Sequence, residues 1–496
     1  MHLKQMTKLD FTSYKTIIFA ALIIRLIAAV FSQGYGMHDD HFLIIEASKS
    51  WVAGYDYNNW LPWSSGNQGH PEGHSFTYVG LNYIFFYILK FIGITDPKTL
   101  MLINRLVHAL LSLLVVHFGF KITERLSNRN NAVTVGWLLA LTSVIPFMSV
   151  RNLVELTSIP FLIWGVWLIV SNGSRKSVFY AGLLIGLAVS FRFQIAVFTF
   201  GLGGYYLLKK QWSEFLMLAL GSFVSFAITQ GLVDYFIWGY PFAEFLGYAL
   251  YNMKEGTQYL PNSNYFMYLW VLMGVLLFPL GVLIAIGFFK SAKKYWLLFL
   301  PTMFFFLFHS FYPNRQERFI LTILPFFIIL GVMGLEQWRA KDKFRKFWRG
   351  SLIAFWVLNI PLLFILSFHY TKKSRVEAMY AIYENGMENE HILLEGSRQT
   401  KPSMLPKFYA DSWYCGFRER TEPTQLLTIE EGLIYDYVFF FGKDDLEQRI
   451  SDYKGIYPAL SLVKKCEPSF LDNVAREVNP RNTNQYIEVW KTNVKR

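Results

Sequence analysis

Residues 17–31, IIFAALIIRLIAAVF, form an apolar run long enough to enter and cross a membrane, and residues 37–51, MHDDHFLIIEASKSW, follow it closely. The second stretch places two aspartates between two histidines, and then a glutamate, where the chain leaves the apolar run. Further apolar runs of similar length recur as far as residue 369. The sequence therefore predicts an all-α polytopic membrane protein with an unusual group of charges in its first loop.

Composition supports this class and argues against two others. Of the 496 residues, 53% are hydrophobic and only 17% are charged, which leaves too little polar surface for a soluble domain of this size. The net charge is +12, but the basic residues lie in short runs between apolar segments and not on one arm, as they would in a nucleic-acid-binding protein. Cys415 and Cys466 lie outside the apolar segments, where a disulfide and a pair of free thiols are both open.

The charges of the connecting segments predict the topology. Five connectors are basic, and the positive-inside rule assigns them to the cytoplasm: 121–130, 171–177, 209–212, 290–294 and 339–350. Two acidic segments, 32–78 and 231–263, then face outward. Apolar runs occupy 15–31, 101–120, 132–149, 153–170, 178–208, 213–230, 264–289, 295–312, 318–335 and 351–369. Alternation requires about 11 crossings, with the N-terminus in the cytoplasm and the C-terminus outside.

Two apolar runs depart from a simple crossing. The run 178–208 is interpreted as two short spans that meet at residues 191–194, FRFQ. The run 79–93 is predicted to lie in the interface or to re-enter, because a full crossing would place the basic connector 121–130 outside. The basic N-terminus leads into the first span without a small-residue cleavage site, which predicts a signal anchor.

The last quarter of the chain has a different pattern. Residues 371–496 contain the strand-like pieces HILLE, YDYVFFFG and YIEVW between helix-like stretches. We therefore predict two domains. Residues 1–370 form a transmembrane catalytic domain with a large outer first loop over 32–100, and residues 371–496 form a small α/β domain outside the membrane.

With this topology the unusual polar clusters all lie on the outer side of the membrane. Ionisable groups at membrane depth are costly and usually face a cavity or a partner, so their clustering on one side predicts a site at the lipid boundary. The clusters are HDDH with Glu46, RNLVE with Arg151 and Glu155, Arg192 with Gln194, Asp234, and YPNRQERF with Arg315, Glu317 and Arg318.

Several of these groups also have a purely structural explanation. Arg151 and Glu155 are four residues apart and could form an ion pair at a helix end. Arg192 could reach toward lipid phosphate groups. One of Asp39 and Asp40 is expected to cap the helix that follows, which leaves the other for a different role.

The histidines do not predict a metal site. His38 and His41 lack the four-residue spacing of a helical zinc pair, and the sequence shows no third ligand. His70 and His74 lie in the glycine-rich segment GNQGHPEGHS, for which a solvated turn is the default. We expect neither a metal nor another cofactor.

A carboxylate and several arginines at a bilayer surface suit one reaction in particular. A donor carried on a lipid phosphate stays in the membrane, and arginine binds phosphate through two parallel hydrogen bonds. The departing lipid phosphate needs charge stabilisation more than it needs a proton. An aspartate could then deprotonate the attacking hydroxyl as a general base, and direct displacement would invert the anomeric centre.

Two motifs carry a resemblance to a known family. HDDH, residues 38–41, occupies the place of a His-Pro-Asp-Glu motif and aligns Asp40 with its aspartate. NRQERFILTILP, residues 314–325, is similar to a late motif that reads roughly His-Lys-Glu-x-Arg-Phe followed by Leu-Pro. On these motifs, and over residues 12–370, the chain resembles the polyprenyl-phosphate-mannose-dependent mannosyltransferases of glycosyltransferase family 22, in the GT-C superfamily.

The chain departs from the family motifs at several positions. Asn314, Arg315 and Gln316 replace the family's histidine, lysine and first glutamate, and His41 replaces the glutamate that follows the aspartate. These departures predict a divergent, prokaryotic member. The resemblance implies a GT-C fold, into which the about 11 crossings expected from the charges are placed. It also implies a lipid-phosphate sugar donor and an active site on the outer or luminal face.

The predicted site divides into three groups of residues. Asp40 and Asp39 are the candidate catalytic residues. The predicted donor-phosphate ligands are Arg318, Arg315, Arg192 and Arg151, and the predicted substrate-binding or supporting residues are His38, His41, Glu46, Glu155, Glu317, Asp234 and His74. We expect a glycan or glycolipid acceptor, no nucleic acid, and a location in a bacterial inner membrane, with the endoplasmic reticulum as the alternative.

Two rival functions stay open. The first is a GT-C transferase for another sugar, of the aminoarabinose or arabinose type, which would use the same base and phosphate contacts. The second is a flippase or transporter of lipid-linked glycans. A transporter should hold its charges near the bilayer midplane, often in inverted repeats with broken helices, whereas this sequence predicts them at helix ends on one side.

Overall fold

The computed structural model describes residues 10–66, 69–254, 264–386, 391–397, 399–420, 435–478 and 485–494. Within these ranges the chain forms two compact units. The first unit comprises residues 1–30, 59–81 and 105–368, and the second comprises residues 31–58, 82–104 and 369–496. The basic segment before residue 10, which contributed to the predicted orientation, lies outside the described residues.

Helices dominate the chain up to residue 367. In chain order the α-helices are Tyr14–Phe31, His38–Asp40, Ala47–Val52, Phe76–Phe91, Pro97–Leu126, Arg129–Leu141, Val144–Ser149, Val154–Ser171, Arg175–Phe191, Ile195–Leu208, Trp212–Phe226, Leu232–Trp238, Ala243–Lys254, Met267–Val275, Leu280–Ser291, Trp296–Phe311, Leu324–Gly334, Glu336–Arg339 and Asp342–Ser367. Two π-helical segments, His41–Glu46 and Ala227–Gly231, and a 3-10 helix, Glu317–Ile323, interrupt the series.

Six helical segments among the described residues are long and apolar enough to span a membrane. They are Tyr14–Phe31, Pro97–Leu126, Val154–Ser171, Trp212–Trp238, Glu317–Gly334 and Asp342–Ser367. A seventh candidate is the pair Met267–Val275 and Leu280–Ser291, which is bent by 120°. The polytopic membrane class is thus confirmed. The predicted count of about 11 crossings, and the interfacial position of the run 79–93, stay predictions.

The predicted break at residues 191–194 is confirmed. One helix ends at Phe191 and the next begins at Ile195, and Arg192 between them has an extended backbone, with φ −145° and ψ 107°. Helix Arg175–Phe191 lies against helix Trp212–Phe226 at very short range, because a Cβ atom on Gly186 would come 2.3 Å from the carbonyl oxygen of Ser222. Such close helix packing through glycine is typical of membrane proteins, and it fixes the position of the helix end that carries Arg192.

The C-terminal part of the second unit is an α/β structure, as predicted. Its five strands are β1 (His391–Glu395), β2 (Gly416–Arg420), β3 (Tyr437–Phe441), β4 (Ser461–Cys466) and β5 (Ile487–Lys491). The sheet order is β2-β1-β3-β5-β4, with β1 parallel to β2 and β3, and with β5 antiparallel to β3 and β4. The accompanying helices are Lys373–Glu384, Leu446–Ile456 and Phe470–Val478, with a 3-10 turn at Lys407–Tyr409.

The three strand-like pieces predicted from the sequence correspond to β1, β3 and β5. All five residues of β3 are buried, as expected for a strand covered on both faces. Strands β2 and β4, GFRER and SLVKKC, lie at the two edges of the sheet and are too polar to stand out in the sequence. Cys415 and Cys466 are buried free thiols, which decides between the two states left open above.

The unit boundaries differ in part from the predicted domains. A boundary falls between Phe368 and His369, close to the predicted residue 370. Segments 31–58 and 82–104, which were predicted to be part of the first outer loop of the transmembrane domain, belong to the same compact unit as the C-terminal sheet. The acidic turn, residues 38–41 (HDDH), is therefore built together with the α/β structure.

Candidate active site

The acidic turn belongs to the second unit and begins a distorted helix. His38–Asp40 form a single helical turn, and a π-helical segment, His41–Glu46, continues from it. Asp40 is buried, with 6% of its surface exposed, whereas Asp39 is exposed. π-Helical turns occur often at functional sites. The side chain of His38 lies outside the described part of the structure.

The two aspartates lie just before the π-helical segment. Asp40 stands immediately before it, and its side chain makes no capping hydrogen bond to that segment. Whether Asp40 or Asp39 is the base stays a prediction.

His41 and Glu46 form a buried pair behind Asp40. Nε2 of His41 lies 3.2 Å from Oε1 of Glu46, and the two side chains are 1% and 0% exposed. Both carboxylate oxygens of Glu46 accept a hydrogen bond from the backbone N–H of Phe408, at 3.0 Å. Glu46 therefore serves as an internal acceptor, and its predicted substrate-binding or supporting role stays a prediction.

A second cluster lies in the first unit and joins three helix ends. Nη1 of Arg192 is 2.9 Å from Oε1 of Glu155, and Nε of Arg318 is 3.7 Å from the same oxygen. Arg192 comes from the break between two helices, Glu155 from the first turn of helix Val154–Ser171, and Arg318 from the 3-10 helix Glu317–Ile323. Side chains that lie more than 30 residues from Glu155 in the sequence thus meet at its carboxylate.

Glu155 satisfies only part of the guanidinium of Arg192. Glu155 is fully buried, and Arg192 and Arg318 are each only 8% exposed. Nε and Nη2 of Arg192 have no hydrogen-bond partner among the described residues, and its guanidinium carbon lies 4.6 Å from the centre of the Phe319 ring. Buried charged groups are normally paired and hydrogen-bonded. The open edge of Arg192 is therefore suited to a further anion.

The other two predicted phosphate ligands contact backbone carbonyls. Arg315 donates from Nε to the carbonyl of Tyr312 at 2.9 Å and from Nη1 to the carbonyl of Asn264 at 3.0 Å. Arg151 donates from Nη1 to the carbonyl of Phe147 at 2.8 Å and lies on the Phe147 ring. Their roles as donor ligands stay predictions.

The proposed helix-end pair between Arg151 and Glu155 is wrong. The two residues do not share a helix, because one helix ends at Ser149 and the next begins at Val154. A four-residue spacing brings side chains together only on a continuous helix. Glu155 instead contacts Arg192 and Arg318.

The last two charged residues of the late motif differ in burial. Glu317 is exposed at the start of its 3-10 helix, whereas Arg318 is buried. Nε of Arg318 also donates to Oε1 of Gln316, at 2.9 Å. Gln316, where the family motif has glutamate, thus helps to orient Arg318.

Glu244, which is not among the predicted site residues, links Asp234 to the segment around His74. Oε2 of Glu244 accepts from the backbone N–H groups of Gly73 (2.7 Å) and His74 (2.9 Å), and Oε1 accepts from the indole of Trp238 (2.9 Å). Asp234 accepts from the backbone N–H of Glu244 at 3.0 Å. The two acids therefore fasten the loop to helix Ala243–Lys254.

The stacking of His74 and the pKa of Glu244 are two further features of this loop. The ring of His74 stacks on Trp60, with ring centres 4.2 Å apart, so the solvated turn expected for this histidine is wrong. Burial raises the pKa of Glu244 to about 7, although hydrogen bonds from His74 and Gly73 oppose the shift. In the sequence, the role of Glu244 is signalled only by its being the one acid in the helical stretch AEFLGYALYNMK.

Comparisons with known structures give the fold. ArnT from Cupriavidus metallidurans has a TM-score of 0.60 at 12% identity over 96% of this chain and 97% of that one. The same protein bound to undecaprenyl phosphate matches with a TM-score of 0.60 at 13% identity, with the same coverage. The Archaeoglobus fulgidus oligosaccharyltransferase, in complex with zinc and sulfate, has a TM-score of 0.53 at 11% identity over 88% of this chain and 70% of that one.

Sequence comparison gives the family. A probable Dol-P-Man:Man(7)GlcNAc(2)-PP-Dol alpha-1,6-mannosyltransferase from Schizosaccharomyces pombe is 23% identical over 291 residues. The match covers 56% of this chain and 51% of the relative, so the chain spans about half the length of the curated relative it matches. The family model described as the Alg9-like mannosyltransferase family matches residues 16–398, well over half of the chain. The resemblance inferred from the HDDH and ERF motifs is thus confirmed, and the chain belongs to the Alg9-like mannosyltransferase family.

Proposed function

We propose that this protein transfers mannose from a polyprenyl-phosphate donor to a hydroxyl group of a lipid-linked glycan or glycolipid acceptor. The observation that carries the proposal is the buried guanidinium of Arg192, which pairs with Glu155 through one nitrogen while its other two have no hydrogen-bond partner among the described residues. A phosphate presents several oxygen acceptors and fits such an open edge.

The donor phosphate is held by Arg192 and Arg318 in this proposal. Glu155 keeps the two guanidinium groups close together while no substrate is bound, because it neutralises part of their charge. As the bond from the sugar to the phosphate breaks, negative charge builds on the phosphate oxygens. Preorganised cations in a site that excludes water stabilise that charge strongly.

Asp40 is proposed to be the general base. The acceptor oxygen forms a bond to the anomeric carbon, the bond from that carbon to the donor phosphate oxygen breaks, and the acceptor's proton passes to Asp40. Attack from the face opposite the leaving group inverts the anomeric centre. Asp39 is the alternative base. The proposal needs no metal or other cofactor.

The relatives support the choice of donor and acceptor. The Schizosaccharomyces pombe protein is named for a dolichyl-phosphate-mannose donor and a lipid-linked glycan acceptor. ArnT, which shares the fold, has been solved with undecaprenyl phosphate bound. The chain described here is proposed to use a polyprenyl phosphate carrier in the same way, with the active site on the outer or luminal face, the N-terminus in the cytoplasm and the C-terminus outside.

The experiment compares donors directly. The purified protein in liposomes is supplied with polyprenyl-phosphate-mannose or polyprenyl-phosphate-aminoarabinose and a lipid-linked glycan acceptor, and the product mass is measured. Addition of one hexose only from the mannose donor supports the proposal. Transfer of aminoarabinose alone indicates the rival sugar, and movement of labelled glycan across the bilayer without a change in mass indicates a flippase. The glycan that accumulates in a deletion strain identifies the natural acceptor.

A further inference from the structure

The acidic turn at Asp39 and Asp40 is held on both sides by the C-terminal part of the second unit. On the N-terminal side, Thr371 donates from its hydroxyl to the carbonyl of Tyr35 at 2.7 Å, and its backbone N–H donates to the carbonyl of Gln33 at 3.1 Å. On the C-terminal side, the backbone N–H of Phe408 donates to Glu46. We propose that Glu46 is a positioning residue, through which the 3-10 turn Lys407–Tyr409 sets the place of His41 and of the adjoining aspartates.

The backbone at Gly34 passes unusually close to the backbone at Thr371. Gly34 has φ +79°, and a Cβ atom at this position would lie 1.8 Å from the carbonyl oxygen of Thr371. Only glycine fits both the left-handed backbone and the missing space. The entry to the acidic turn is therefore fixed by a backbone contact that tolerates no side chain.

The π-helical segment is what brings His41 and Glu46 together. In a regular α-helix, residues five apart point about 140° away from each other, since each residue turns the helix by about 100°. A π-helical turn joins residues i and i+5 and removes most of that difference. The extra residue in the turn thus places Nε2 of His41 3.2 Å from Oε1 of Glu46.

The same turn of the C-terminal structure also holds the imidazole ring. His41 lies between two tyrosine rings, with ring centres 4.3 Å from Tyr35 and 5.9 Å from Tyr409, and both are nearly parallel to it. Tyr409 is the neighbour of Phe408, which binds Glu46. Burial raises the pKa of Tyr35 to about 12, so this ring stays neutral. Stacking on the two tyrosines thus fixes the plane of the His41 ring, and the contact with Glu46 fixes the position of its edge.

Glu46 is fully buried, and the position of its carboxylate affects the position of the adjoining aspartates. A buried charge is retained only where donors satisfy it. The backbone N–H of Phe408 donates to both oxygens here, and Nε2 of His41 lies 3.2 Å from one of them. Because Asp40 directly precedes His41 in the chain, a fixed His41 also fixes the backbone of Asp40. Displacement of a reacting group by about 1 Å can cost about a hundredfold in rate.

The test uses Glu46→Ala, Glu46→Gln and a matched control, Lys49→Met. Glutamine keeps an oxygen that accepts from Phe408, whereas alanine keeps none. Lys49 joins the same two chain segments through an ion pair of 2.9 Å with Asp411. The control therefore loosens the same junction without touching the proposed link.

The first measurement is steady-state mannose transfer, and this part rests on the proposed function. We expect Glu46→Ala to lower kcat by about tenfold to a hundredfold with little change in the donor KM, because the base is misplaced and the phosphate ligands are not. Glu46→Gln should recover most of kcat, and Lys49→Met, which leaves Glu46, His41 and Phe408 in place, should lose much less of kcat than Glu46→Ala. An equal loss of kcat in Lys49→Met and Glu46→Ala would overturn the proposal.

The second measurement is independent of the reaction. Hydrogen exchange of the peptide that contains residues 37–42, followed by mass spectrometry, should quicken in Glu46→Ala and remain slow in Lys49→Met and Glu46→Gln. Unchanged exchange in Glu46→Ala would contradict the positioning role even if the protein is a mannosyltransferase. Faster exchange together with a complete absence of mannose transfer by the wild type would refute the proposed function and leave the positioning role intact.

Discussion

Nη1 of Arg192 lies 2.9 Å from Oε1 of Glu155, and this contact uses one of the three nitrogens of a guanidinium that is 8% exposed. The other two nitrogens, Nε and Nη2, have no hydrogen-bond partner among the described residues. A buried polar group without a partner is expensive. The open edge of Arg192 is therefore suited to an anion, and the donor's phosphate is the anion proposed here.

The first prediction concerns Arg192→Lys. An ammonium group is a compact charge that can approach Glu155 or the phosphate but cannot present two parallel donors to one while holding the other. We expect the KM for polyprenyl-phosphate-mannose to rise about tenfold, equivalent to about 1.4 kcal/mol of donor binding. Steady-state transfer at varied donor concentration measures this. Arg129→Lys, an exposed arginine paired with Glu124, is the control, and an equal KM in both variants would count against a phosphate site at Arg192.

The second prediction concerns Glu155→Gln. Removal of this charge deprives the buried guanidinium of Arg192 of the carboxylate that it contacts, and loss of one partner from a buried ion pair costs about 3–5 kcal/mol. We expect a clear fall in Tm in detergent. Polyprenyl phosphate should restore more stability to Glu155→Gln than it adds to the wild type, because the phosphate replaces the missing anion. Equal Tm increments in the two proteins would show that the lipid phosphate does not bind at this cluster.

The third prediction concerns pH and Glu244. Burial raises the pKa of this carboxyl group to about 7, so the folded state favours the protonated form. The stabilising contribution is complete below about pH 4.5, the ordinary pKa of glutamate, and is lost as the pH rises through about 7. The Tm of the wild type should therefore fall over this range, and Glu244→Gln should show a smaller fall. A Glu244→Gln profile parallel to that of the wild type would assign the pH dependence to other groups.

The elements that the sequence predicts well are those set by local pattern. The break at Arg192 follows from two polar residues inside a long apolar run, and the chain does leave the helix there. The buried strand β3 follows from an aromatic and β-branched run, YVFFF. The HDDH and ERF motifs identify the family because each keeps its residue types within a few positions.

The elements that the sequence does not predict depend on contacts between distant residues. The backbone N–H of Phe408, which binds Glu46, has no signature in the sequence, since every residue except proline has one. Glu244 appears as a single acid in a half-buried helix, and its partners at Gly73 and His74 lie about 170 residues away. The structural alternative of an Arg151–Glu155 pair is wrong because the chain between the two residues is not helical.

The account as a whole depends on Asp40. The decisive measurement is transfer of labelled mannose from polyprenyl-phosphate-mannose in liposomes by the wild type, Asp40→Asn and Asp39→Asn. Asparagine keeps the size of the side chain but cannot accept the acceptor's proton at neutral pH. The account predicts that Asp40→Asn loses transfer while its affinity for the donor is kept, and that Asp39→Asn is affected more mildly. Full transfer by Asp40→Asn would contradict it.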